Sequence, residues 1–123
     1  MISVETTSNN SILIITPQGP LERQDFETIG KEFDQAIVSS GKVTGLMIKM
    51  KSFPGWENFE AIATHLSFVA GHHRLIERIA VATDNSFLKL VPGLASYFVH
   101  PKIQVFDLSE TEQAISWLET GVR

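Results

Sequence analysis

A chain of 123 residues, 43% apolar and 20% charged, has the size and make-up of one folded domain spanning residues 1–123. It contains no cysteine, which excludes disulfides, thiolate catalysis and cysteine-ligated metals. A formal net charge of −4 argues against a nucleic-acid partner, and no apolar run reaches the roughly 18–20 residues needed for stable membrane insertion.

In chain order, "ISVET" and "SILIITP" read as two strands joined by a polar turn at Asn9 and Asn10. The amino-terminal stretch lacks the basic start and apolar centre of a signal peptide, so the expected location is cytoplasmic. From Glu22 the period becomes helical, with Phe26, Ile29, Gly30, Phe33, Ala36 and Ile37 on one face and Gly41 as a left-handed stop. "GLMIKM" follows as a strand. The loop "KSFPGWENFEA" then leads into a second helix whose inner face is read as Phe59, Ile62, Ala63, Leu66, Val69 and Ala70. The opposite face carries His65, Phe68 and His72. An aromatic among otherwise polar positions there suggests a surface for a second copy or a regulatory protein.

"RIAVAT" is nearly all apolar, as in a strand covered on both faces. A helix broken at Pro92 and Gly93 comes next, apolar over much of its circumference through Leu90, Leu94, Tyr97 and Phe98. The strand "KIQVFDL" and a last helix close the chain. Ser109 and Glu112 have the spacing of a capping box for that helix, and Ala114, Ile115 and Leu118 form its inner face. The order is ββαβαβαβα, an α/β domain with a mostly parallel sheet, an amino-terminal hairpin and about four helices.

The pieces in this order resemble the anti-sigma-factor-antagonist (STAS) fold. The closer resemblance is to its SpoIIAA-like branch, described as STAS/SEC14-related. The residues that carry it are Phe53, Gly55 and Trp56 after the third strand, "HHRLIERIAV" before the fourth, and "VFDLSETEQAISWL" at the end. In the antagonists a serine at the start of the second helix is phosphorylated by a partner kinase. The corresponding Trp56-Glu57-Asn58-Phe59 has no hydroxyl, which argues against that switch here, and Ser52 at the strand end is the remaining candidate phosphosite.

Two functions are compatible with these residues. In the first, an apolar small molecule or lipid binds at the carboxyl ends of the strands, between Phe53 and Trp56 of the loop and Leu90, Leu94, Tyr97 and Phe98 of the broken helix. Ser52, Thr83, Asp84 and Asp107 fall near the same strand ends. In the second, the domain is a protein-interaction module, a homodimer working through its helical faces. No cofactor is expected. Metal binding is not expected either, since His65 and His72 are separated by about 10 Å along a helix axis. Catalysis is not expected, because no nucleophile elbow, phosphate loop or dinucleotide fingerprint is present.

Overall fold

The computed structural model describes residues 1–7, 11–52, 55–56, 58–86, 88–89 and 99–123, with the side chain of Phe59 excepted. Five strands form one sheet in sequential order: β1 (Ile2–Thr7), β2 (Ile12–Pro17), β3 (Val43–Lys49), β4 (Ile76–Ala82) and β5 (Lys102–Phe106). β1 runs antiparallel to β2, with Val4 opposite Ile15, and every later pairing is parallel. Strand order was beyond the reach of the sequence pattern; the sheet supplies it.

Among the described residues there are three α-helices: α1 (Arg23–Ser40), α2 (Phe59–His72) and α3 (Thr111–Thr120). The fourth expected helix, with Leu90, Leu94, Tyr97 and Phe98, lies outside the described residues, as does Phe53.

Alternation along the strands divides the core between the two faces of the sheet. Leu13 and Ile15 of β2 and Leu46 of β3 pack with Phe26, Ile29, Phe33 and Ala36 of α1. Ile12 of β2, Met47 of β3 and Ala80 and Ala82 of β4 pack instead with Ala114, Trp117 and Leu118 of α3. Small residues make room on this second face. A Cβ built on Gly45 would stand 2.8 Å from a Leu118 methyl group, so the strand can carry no side chain beneath that leucine.

α1 begins in a reciprocal box between Glu22 and Asp25 and ends at Gly41, whose φ of 84° is the left-handed stop expected from the sequence. The start of α3 departs from expectation. Asp107 and Glu110, rather than Ser109 and Glu112, exchange the capping bonds, with the Asp107 amide donating to Glu110 Oε1 at 2.9 Å. Both pairs have the required spacing. The chain leaves β5 directly into a single 3-10 turn at Leu108–Glu110, so the earlier pair meets the free amides first.

Candidate functional site

The orientation of α2 decides the site. Its inward residues are Ala61, His65, Phe68, Val69 and His72, while Ala63, Leu66 and Ala70 face out, Leu66 with 68% of its surface exposed. The face carrying His65, Phe68 and His72 is therefore turned into the molecule, the reverse of the expected outward surface. The physical reason is aromatic packing. Phe68 stacks on His72 with ring centroids 4.0 Å apart and meets Phe26 at 6.1 Å, and His72 presents edge-to-face to Phe33 at 5.1 Å. Imidazole rings contribute apolar area and a π-face as well as polarity, so His65 and His72 pack with Phe26, Phe33 and Phe68 as part of one aromatic cluster. A Cβ built on Gly30 of α1 would stand 3.8 Å from the Phe68 ring, an ordinary contact that places the ring over this stretch of α1.

The loop before α2 is stitched to the entry of α1. The Leu21 amide donates to the Gly55 carbonyl at 2.7 Å, and Leu21 and Trp56 form an isolated parallel bridge. Gly55 takes a φ of 86°, a left-handed turn that favours glycine. Asn58 then caps α2, its side chain accepting from the Ala61 amide at 2.9 Å. Trp56 remains 39% exposed and donates its indole N–H to His65 Nδ1 at 3.1 Å. His65 lies beyond it against Phe26, centroids 4.9 Å apart, and this burial holds its imidazole below the ordinary range near 6.5.

Behind this aromatic row, between α2, α1 and the sheet, is an apolar cavity of about 190 Å³. Ile15, Ile48 and Ile79 supply its floor, Phe26 and Ile29 one wall, and Phe68 and Val69 another. Among the described residues, the polar side chains bordering it are His65, His72 and His73. Trp56 does not line this cavity and adjoins it through His65; the pocket expected between Phe53, Trp56 and the broken helix involves residues outside the described ones. The cavity extends over the α1–α2 face of the sheet. Ile2, Pro17, Leu21, Ile48 and Met50 form its margin toward the carboxyl ends of β2 and β3, and Ile76 its margin toward the amino end of β4.

The polar residues at the strand carboxyl ends are engaged in closing loops. Thr83 is wholly buried, its amide donating to the Phe106 carbonyl at 2.9 Å and its hydroxyl accepting from the Asn85 amide at 3.2 Å. Asp84 accepts from the Leu108 amide at 3.0 Å. Asp107 accepts from Lys89 at 2.7 Å, a bond that holds the exposed ammonium above its usual range. Ser52 is exposed at a bend after β3, well ahead of the helix amides that Asn58 caps. Among the described residues there is no cluster of three metal-ligating side chains, and no helix is long and apolar enough to cross a membrane.

A five-stranded mixed sheet, led by an antiparallel strand and flanked by helices on both faces, defines an α/β domain of the SpoIIAA type. The chain belongs to the SpoIIAA-like family, whose model matches residues 12–119. Its fold is similar to the crystal structure of an uncharacterised protein of the DUF3478 family with a SpoIIAA-like fold, from Shewanella loihica PV-4. The TM-score is 0.75 at 19% identity, over 96% of this chain and 92% of that one. No curated protein matches the chain significantly.

Proposed function

We propose that this SpoIIAA-like domain is a binding protein, not an enzyme, and that it holds a small apolar molecule between α2 and the sheet. The observation that carries this reading is the cavity of about 190 Å³ with an almost wholly apolar lining inside the larger core. Apolar cavities of about 150 Å³ stay dry and take up benzene-sized guests, because an empty apolar space forfeits the contacts its walls could make. The volume suits one ring or a short branched chain.

Native mass spectrometry of the purified protein, followed by denaturing extraction, tests the reading. A stoichiometric small apolar adduct supports it, and Val69→Phe should then exclude the adduct by filling the space. A chain that carries no adduct and takes up no added toluene overturns it. In that event the alternative is a protein-interaction module, most simply a homodimer. Its surface would have to be the outward face of α2 at Ala63, Leu66 and Ala70, since His65, Phe68 and His72 are committed to the interior.

A further inference from the structure

His65 makes two contacts of different kinds. Its ring packs on Phe26 of α1, centroids 4.9 Å apart, and its Nδ1 accepts the indole N–H of Trp56 at 3.1 Å. An indole N–H can only donate, so this bond exists only while His65 Nδ1 carries no proton. In the imidazolium both ring nitrogens carry protons, and Nδ1–H would then oppose the indole N–H across the same 3.1 Å. The indole offers its N–H edge to the imidazole, the two rings being tilted by 54°. That edge is the positive part of an aromatic ring, so it repels a cation where a ring face would attract one.

The charged groups on the surrounding elements are engaged elsewhere. On α1, Arg23 pairs with Glu27 and with Glu60 of α2, and Asp25 is bonded to the Met1 ammonium at 2.8 Å. Glu22 closes the capping box of the same helix. Lys51, in the loop that leads to Trp56, is exposed, and His72 and His73 border the cavity with His65. Burial is what holds the His65 imidazole below its ordinary range near 6.5.

The two partners are held differently. His65 is fixed on α2 against Phe26. Trp56 is 39% exposed, in a loop whose backbone is anchored separately by the 2.7 Å bond from the Leu21 amide to the Gly55 carbonyl. The indole can therefore leave His65 while the backbone beside it stays on the entry of α1.

We infer that the Trp56–His65 hydrogen bond is a proton-sensitive latch, which ties the loop between β3 and α2 to the helix while His65 is neutral and releases the indole to solvent when His65 is protonated. The latch is closed at neutral pH and opens in acidic solution, below the ordinary imidazole range. It does not depend on what fills the cavity.

The test is an NMR titration of the full chain from about pH 8 to about pH 5, which spans the usual range of imidazole titration. The chain has two tryptophans, and Trp56→Phe identifies the Trp56 indole signal by removing it. At the upper end an Overhauser contact should join the Trp56 indole proton to the His65 ring. It should vanish with the midpoint of His65 itself, while the Leu21 amide stays protected from exchange. The indole signal of Trp117, in the core on the opposite face of the sheet, should not move. Trp56→Phe removes a bond that only neutral His65 accepts, so the His65 pKa should rise toward 6.5 in that variant. An Overhauser contact that survives protonation of His65, or a His65 pKa unchanged by Trp56→Phe, overturns the latch. So does simultaneous loss of the Leu21 protection, the Trp117 signal and the Trp56 contact, since the event would then be global acid unfolding.

Discussion

Phe68→Ala separates an α2 packed on its aromatic face from one packed on its leucine face. Phe68 stacks on His72 at 4.0 Å and meets Phe26 at 6.1 Å. Truncating a fully buried phenylalanine costs about 3–5 kcal/mol. Phe68 is half-buried and borders a cavity, so its ring loses fewer partners, and about 2–3 kcal/mol is the expected cost. With a urea slope of about 1–3 kcal/mol per molar, the unfolding midpoint should drop by about 1 M. Phe68→Glu adds the cost of placing a carboxylate beside Ile29 and Ile79. Against a total stability of about 5–15 kcal/mol, that variant should be marginal or unfolded. The control is Leu66→Ala, at a position 68% exposed, which should change stability by less than about 0.5 kcal/mol. Were Phe68→Ala to leave the urea midpoint unchanged while Leu66→Ala lowered it, the packing of α2 described above would be refuted.

Three further outcomes are expected. Gly45→Ala should destabilise by about 1–3 kcal/mol through collision with Leu118; a double-mutant cycle with Leu118→Val should recover part of that loss, and strict additivity would mean the two sites do not touch. Gly30→Ala should stabilise by about 0.5–1 kcal/mol, because the new methyl meets Phe68 at an ordinary 3.8 Å and a helix interior favours alanine over glycine; thermal unfolding reads the sign. His65 has a folded pKa below its unfolded value of 6.5, so the native state binds fewer protons than the unfolded chain. Stability is therefore intact above about pH 6.5 and falls as the pH drops through and below it. Urea midpoints measured across that range should show the decline, and His65→Gln should reduce its slope.

Much of the fold was legible because it rests on local period and local stereochemistry. The hairpin, the change from period two to helical period at Glu22, the strands ending near Lys49, Ala82 and Phe106, and the glycine stop at Gly41 all follow from residues close together in the chain. The start of α3 shows how local reading fails. Asp107 to Glu110 and Ser109 to Glu112 share one spacing, and only the path of the chain out of β5 chooses between them.

The candidate site was legible in its residue types and illegible in its arrangement. The row from Trp56 through His65, Phe26 and Phe68 to His72 contains residues visible at once in the sequence, yet hydropathy counted the histidines as polar and turned α2 the wrong way. Which face of a two-sided helix is buried depends on the shape of what it meets, here Phe26, Phe33 and the space over Gly30 on α1. The cavity is likewise a property of packing, since its volume is what the side chains of α1, α2 and four strands fail to fill. By itself the sequence pointed to the family through its motifs, and its periodicities, which need no partner, determined the mainly parallel sheet and the element order among the described residues. The tertiary structure decided strand order, the face of α2 and the apolar space beside it, because each depends on groups far apart in the chain meeting at a particular distance.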